Sequence, residues 1–476
     1  MIPQPLMSHA IANSDLRHRT ATLPRVRQPN ASRAGVATAA LRPTGSLIVF
    51  WIVCLITMVM SHYAFSARLN LPYKIMTLLI VAIAPMTTGF TNLFSKRAVL
   101  WLILFEFVLV IGCLTGYTGS PSDLISVGAD PIVMIRVFPF MLCGYTLAQY
   151  PQYEKRWLLW LLVFYALLTL PDALSFTRGS LQGLRRDRLL ADRFDAASAS
   201  AVLTGYVNLS LACLIIAILG NRVHDMIGRH WRWVIAGLQI TLASVCFTAG
   251  FTAAALLLLL SLALLGITAP VRTLRFRLLA LAVVLVVIPV FWLAFGSLAE
   301  NTGGTFGQIY GRLEGLRKMV VSREITEETG KSTSGRVELG LISLRSFAKS
   351  PLIGLGRGKE SEEIKGHISD TIGGHSYILD SLGQRGLLGT FPLLAALGLF
   401  TLTAYRNFRR APGSWRESAM LTIMLMWIVA MIINPYFLGY LALNCIVFLC
   451  FGLILGDAVR LQSTVNRSRP AVPRVL

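Results

Sequence analysis

Charge is scarce in this chain, and acid scarcest of all. Of 476 residues 14% are charged and 55% hydrophobic, 23 Asp+Glu stand against 44 Lys+Arg, and the mean hydropathy is +0.64. So little charge excludes an ordinary soluble domain and a disordered chain, and places the protein among polytopic membrane proteins. The seven cysteines (54, 113, 143, 213, 246, 445 and 450) all fall in apolar runs, and the longest polar stretch has none. That excludes a disulfide framework and a CxxC metal site, and leaves small buried hydrophobes. Carboxylates paired at a hydrolytic spacing are lacking, and the cluster Glu324, Glu327 and Glu328 reads as a solvated helix face. A phosphate loop is lacking too: Gly354-Leu355-Gly356-Arg357-Gly358-Lys359 does not have the GxxxxGK[ST] spacing, and Glu360 stands where Ser or Thr should follow. A tight turn is the expectation there. The net charge of +21 would suggest nucleic acid in a soluble domain. Here the bases gather in short connections between apolar runs, so no nucleic-acid partner is expected.

Apolar runs of about 20 residues are what the chain has instead. They lie near 46–66, 74–92, 98–117, 131–149, 157–176, 199–219, 233–249, 250–269, 277–297, 386–405, 417–435 and 437–456. The expected fold is therefore all-α, with about 12 transmembrane helices and a long extracytoplasmic loop containing short helices. Residues 46–297 would carry spans one to nine, 298–385 the loop, 386–456 spans ten to twelve, and 457–476 a basic cytoplasmic tail. Residues 1–45 hold Arg17, Arg19, Arg25, Arg27, Arg33 and Arg42 against Asp15 and no early apolar core. They read as a disordered basic cytoplasmic tail rather than a cleaved signal peptide, with a transit peptide as the alternative of like composition. With both termini cytoplasmic, the inside connections hold Lys96, Arg97, Lys155, Arg156, the 222–232 and 272–277 arginines, and Arg406 to Arg416. Two connections on the other side break the pattern. One is 177–198, with Arg178, Arg185, Arg186, Arg188 and Arg193; the other is the long loop, whose length exempts it from the rule. Arginines collected on the extracytoplasmic side suit an anionic ligand or lipid headgroups. Two charges fall within apolar runs, Glu106 and Arg136. Each costs on the order of 3 kcal/mol at a bilayer centre and should face protein or water.

Within the loop, residues 336–350 have helical periodicity. Val337, Leu341 and Leu344 share one face, Glu338, Arg345 and Lys349 another, and Pro351 ends the pattern. A second helix is expected from about Ser376 into the next apolar run, with Gly386 and Gly389 allowing close packing where it enters the membrane.

Arg336 with its amphipathic helix, Pro351-Leu352-Ile353-Gly354-Leu355-Gly356, and His375-Ser376 followed after nine residues by Gly386-x-x-Gly389 carry a resemblance. Together they resemble the O-antigen ligase and O-antigen (exopolysaccharide) polymerase superfamily of bacterial polytopic membrane glycosyltransferases, whose signature has the form H[NSQ]-x9-GxxG. The resemblance implies an enzyme of the bacterial inner membrane with its active loop in the periplasm. Such an enzyme moves a glycan from undecaprenyl diphosphate to a sugar hydroxyl of an acceptor glycan or of lipid A–core, with no cofactor and no metal. It implies His375 as catalytic base and Arg336 as a stabiliser of the leaving diphosphate. The residue types suit those tasks: histidine titrates near neutrality, and guanidinium binds phosphate oxygens bidentately. Arg188, Arg193 and Arg136 join them as candidate diphosphate- or glycan-binding groups by side and charge. One departure stands out. Many relatives carry a Ser-Arg pair in the run before the loop, where this chain reads Thr248-Ala249-Gly250-Phe251-Thr252-Ala253. That absence and the basic tail tilt the expectation from ligase toward polymerase. A lipid-linked-sugar flippase or other transporter is the alternative from another class, set against the lack of internal symmetry; a scaffold is a third. Expected partners are the lipid-linked glycan, its acceptor, membrane lipids and a possible chain-length regulator.

Overall fold

Backbone polar groups that leave water must bond one another, and a helix achieves this within one segment. In the computed structural model the described residues are 43–61, 67–87, 89–115, 137–151, 340–355, 376–411, 414–433 and 441–468, with 153, 154, 157, 158, 160 and 210. Their regular structure is helical throughout, without a strand among the described residues. We number the helices α1 (Gly45–Ser61), α2 (Ala67–Ile83), α3 (Phe90–Phe94), α4 (Arg97–Thr115), α5 (Val137–Leu147), α6 (340–349), α7 (Tyr377–Arg410), α8 (Trp415–Ile433) and α9 (Leu441–Ser468). Among the described residues two helices are long and apolar enough to cross a membrane: α7, and α9 over Asn444–Ser463. Gly45–Ser61, Pro72–Met86 and Val137–Leu147 are shorter apolar helices. The runs expected to span between 157 and 297 fall almost wholly outside the described residues.

One expected span has a different form. The run 74–92 is not a single helix: α2 starts earlier, at Ala67, and ends at Ile83, a 3-10 turn covers Ala84–Met86, and α3 follows. Pro85 inside the turn lacks the amide proton a continuing helix needs. Gly89 then takes a φ of 102°, a left-handed conformation that side chains with a Cβ rarely adopt.

Helix α7 is the hub and packs along α4, α8 and α9. Phe400 stacks on Phe451 of α9 at 4.1 Å, and Trp101 of α4 meets Phe391 edge-on at 5.4 Å. Asn407 Nδ2 donates to the Ile454 carbonyl at 2.9 Å, which anchors α7 to α9 by a buried polar bond. Helices α5 and α9 approach more closely. A Cβ on Gly144 would collide with the Leu449 carbonyl, and one on Gly452 with the Met141 carbonyl. Gly452 and Gly456 have the spacing that lets two membrane helices touch backbone to backbone. Helix α1 joins the bundle through Trp51, whose indole donates to Thr146 Oγ1 at 2.8 Å.

A buried ion cluster ties helix ends together. Arg416, in the first turn of α8, reaches Glu154 through Nη1 and donates from Nε to Asp457 Oδ2 at 2.6 Å. Arg460 pairs with Asp457 Oδ1 at 2.7 Å and lies 4.0 Å from Glu417. Arg416, counted from sequence among the bases of an inside connection, is 6% exposed. Burial pushes the Glu154 carboxyl, which lies between two apolar runs, above its usual range, and Arg416 opposes that shift.

Candidate functional site

Around Gly386 the chain makes an exception to helical geometry. Ser376 starts α7 as its N-cap, in extended backbone, its hydroxyl accepting from the Leu379 amide at 3.2 Å. That is the residue type a helix start favours, and it satisfies one of the amides left without a partner in the first turn. Ten residues later Gly386 takes φ 61° and ψ −165°, and the helix breaks. A break frees the amides that follow it, and those amides find partners in the glycine-rich turn. Leu387 N–H donates to the Pro351 carbonyl at 2.8 Å, and Leu388 N–H to the Leu352 carbonyl at 3.0 Å. In return the Leu355 amide donates to the Gly383 carbonyl at 2.9 Å. The turn is closed on itself by Gly354 N–H to Ser350 O at 2.9 Å, with Gly354 at φ 73°.

Glycine is required on both sides of this contact. A Cβ on Gly386 would drive into the Leu352 carbonyl group, and one on Gly354 into the peptide between Gln384 and Arg385. Gly389 serves a third purpose: a Cβ there would strike Arg385 Cβ and sit 3.2 Å from Val108 Cγ1 of α4. The two glycines of the GxxG pattern therefore have separate tasks. Gly386 admits the turn, and Gly389 leaves a path for the Arg385 side chain between α7 and α4.

The polar side chains around the break are bonded across it. Thr390 Oγ1, after the break, donates to Ser381 Oγ, before it, at 3.1 Å. Arg385 Nη1 donates to the same oxygen at 3.0 Å, and its guanidinium lies 5.8 Å over the Phe105 ring of α4. Helix α6 is fastened to the start of α7 by Ser343 Oγ, which donates to Asp380 Oδ1 at 2.6 Å. Asp380 is buried in the first turn of α7, where the partial positive charge of the helix end favours a carboxylate.

Helix α6 turns the other way from its apolar pattern. Ser343 and Ser346 are buried, while Leu341 and Leu344 are 43% and 42% exposed. Leu341 and Leu344 share the exposed side with Arg345 and Lys349. The chain turns tightly over 351–355, at the start of the glycine-rich stretch, and 356–359 lie outside the described residues. Helix α7 begins where expected but runs on to Arg410.

The sequence-predicted site residues lie elsewhere in the chain. His375, Arg336, Arg188, Arg193 and Arg136 all fall outside the described residues. His375 directly precedes the Ser376 cap in sequence, and Arg136 directly precedes α5. Glu106 is described, and is buried in α4. Sequence reasoning passed over Asp380, Ser381, Arg385 and Thr390. The available signal was their position: three polar residues of the motif's nine-residue gap, plus the residue after its last glycine. Among the described residues no group of three His, Cys, Asp or Glu side chains could hold a metal ion.

Among the described residues the fold is all-helical, with two helices long and apolar enough to cross a membrane, and its candidate site is a loop docked on a broken helix. Residues 236–394 match the family described as Wzy_C: O-Antigen ligase, about a third of the chain. The matched segment contains both the glycine-rich turn and the break at Gly386. No curated protein matches the chain.

Proposed function

We propose that this protein is an inner-membrane glycosyltransferase, with about 12 spans, both termini in the cytoplasm and its loop in the periplasm. It takes a glycan from undecaprenyl diphosphate and gives it to an acceptor sugar hydroxyl. The acceptor oxygen bonds to the anomeric carbon of the donor, the bond from that carbon to the diphosphate breaks, and the hydroxyl proton passes to His375. Positioned bases of this kind contribute roughly 10²–10⁴-fold. Arg336, with Arg188, Arg193 and Arg136, would neutralise the departing diphosphate. The observation that carries the reading is the family match over 236–394, which includes His375 and the whole Gly386-x-x-Gly389 element. Growth of one lipid-linked chain by another, as in an exopolysaccharide or O-antigen polymerase, is the reaction we favour over ligation to lipid A–core.

The test is a gene deletion complemented with wild type or with His375→Ala, followed by gel analysis of carrier-linked and cell-surface glycan. Single repeat units with long chains gone are the result expected of a polymerase. Long carrier-linked chains beside bare lipid A–core would make it a ligase. Full restoration by His375→Ala at normal expression would overturn the assignment of the base.

A further inference from the structure

Arg385 is half-buried at the α4–α7 contact and carries five donors; among the described residues its contacts are one hydrogen bond to Ser381 and a ring contact with Phe105. Among the described residues it has no carboxylate, whereas Arg416 and Arg460 are both ion-paired. A cation drawn out of water without a counter-charge is costly, and an anion arriving there would recover part of that cost.

Depth and surroundings indicate which anion. The exposed side of α7 becomes apolar directly after Arg385: Leu387 is 46% exposed, Leu388 62% and Phe391 55%. The docked turn adds Leu352 at 60% and Ile353 at 71%, hydrogen-bonded edge to edge with that same stretch. Five large apolar side chains turned outward beside one cation reproduce the two halves of a phospholipid, a tail and a charged head. The part of α7 after the break, 387–410, is roughly 36 Å long and suffices alone to cross a hydrocarbon core of about 30 Å, which leaves the turns before the break for the headgroup layer.

We infer that Arg385 binds a lipid-borne phosphate at the entry of α7, with Leu352, Ile353, Leu387 and Leu388 against the lipid chain. Resting on the transfer reading above, the phosphate it holds is the diphosphate of the glycan donor, in a chain that lacks the Ser-Arg pair noted earlier. Gly389 is then a positioning residue, since it keeps open the path the Arg385 stem follows.

Binding to the purified full-length protein in neutral detergent tests this. The probes are undecaprenyl diphosphate, undecaprenol and phosphatidylglycerol, measured on wild type, Arg385→Ala and Arg385→Lys with melting temperature as the check on folding. The expected result is a loss of roughly tenfold or more in undecaprenyl diphosphate affinity for Arg385→Ala, partial recovery in Arg385→Lys, and undecaprenol unchanged. Should Arg385→Ala fail to fold, the comparison runs on Arg385→Lys, which keeps the charge and loses the fork. Unchanged diphosphate affinity in the folded variants would overturn the inference. Equal losses for diphosphate and undecaprenol would make the role one of apolar packing and overturn it as well. A loss just as large for phosphatidylglycerol would give the site to bulk headgroups and overturn the donor assignment. No probe carries a glycan. A wild type that binds the carrier through Arg385 yet transfers no glycan would therefore overturn the transfer reading alone.

Discussion

Two buried polar patches interrupt the apolar interior, and they are built on opposite principles. The cluster of Arg416, Glu154, Asp457 and Arg460 is made of charges that satisfy one another. The junction at Gly386 is made of backbone, with hydroxyls and one guanidinium that meets no carboxylate among the described residues. Charges paired with one another hold helix ends in place. A junction in which backbone amides are satisfied by a neighbouring turn, and a cation is left with spare donors, is held in shape and still able to bind. The rigidity there comes from main-chain bonds and three glycines rather than from the Arg385 side chain.

The contrast breaks most severely at Arg416. Arg416→Met should strand the Glu154 carboxyl, leave Asp457 to Arg460 alone and destabilise the protein by roughly 3–5 kcal/mol, read as a lowered melting temperature in detergent. Molecules that remain folded should transfer glycan at the wild-type rate. A large loss of rate per folded molecule would mean that the closed cluster also serves the reaction. Gly386→Val should cost on the order of 3 kcal/mol, through a φ of 61° and the collision with Leu352, and here transfer should vanish along with the turn's docking. Protease cleavage within 350–360 would report the released turn. Survival of activity in Gly386→Val would sever the junction from the chemistry.

How much of this was legible follows from what each signal depends on. The helices of 386–456 show in composition, because a membrane helix must be apolar along its length wherever lipid touches it. Ser376 and the GxxG element were legible as a pattern, but not the reason for two glycines. That reason is tertiary: a Leu352 carbonyl on one side, Arg385 and Val108 on the other. Which face of α6 is covered was open for a related cause. Periodicity says that Leu341 and Leu344 belong together and does not say whether protein or lipid is to cover them. Arg416 illustrates the same limit, since a basic residue beside an apolar run counts as an orientation signal until a partner such as Glu154 is found 262 positions earlier in the chain. The break of the 74–92 run at Pro85 and Gly89 was open to reading from those two residues.

Smaller changes sharpen the comparison. Gly389→Ala leaves the φ of the junction alone and pushes its Cβ against Arg385 and Val108, an overpacking of about 1–3 kcal/mol. Because the group displaced is the Arg385 stem, the loss should fall mainly on KM for the lipid-linked donor. An equal fall in kcat with KM unmoved would mean that Arg385 is not the part disturbed. Ser343→Ala removes the 2.6 Å bond to Asp380 and should cost about 1–2 kcal/mol, with hydrogen exchange faster in α6 than in α7. Uniform exchange in the two would show that other bonds fasten α6.

The gentlest probe is pH, and it separates the two patches without a change in the junction. Burial raises the Glu154 carboxyl, more strongly than Arg416 lowers it, so the folded protein holds this proton more tightly than the unfolded chain. The linked stability is complete below the ordinary carboxylate range and is lost as pH rises through the raised folded value. Glu154→Gln keeps a neutral side chain at every pH and abolishes that dependence. Melting temperatures of wild type and Glu154→Gln, followed upward from acid, should therefore diverge, with the wild type losing ground to the variant. Undecaprenyl diphosphate affinity at the junction should be the same in both proteins across the range, since Glu154 belongs to the ion cluster and not to the junction. Parallel melting curves would mean that Glu154 stays ionised beside Arg416 and that the cluster carries its full charge when folded.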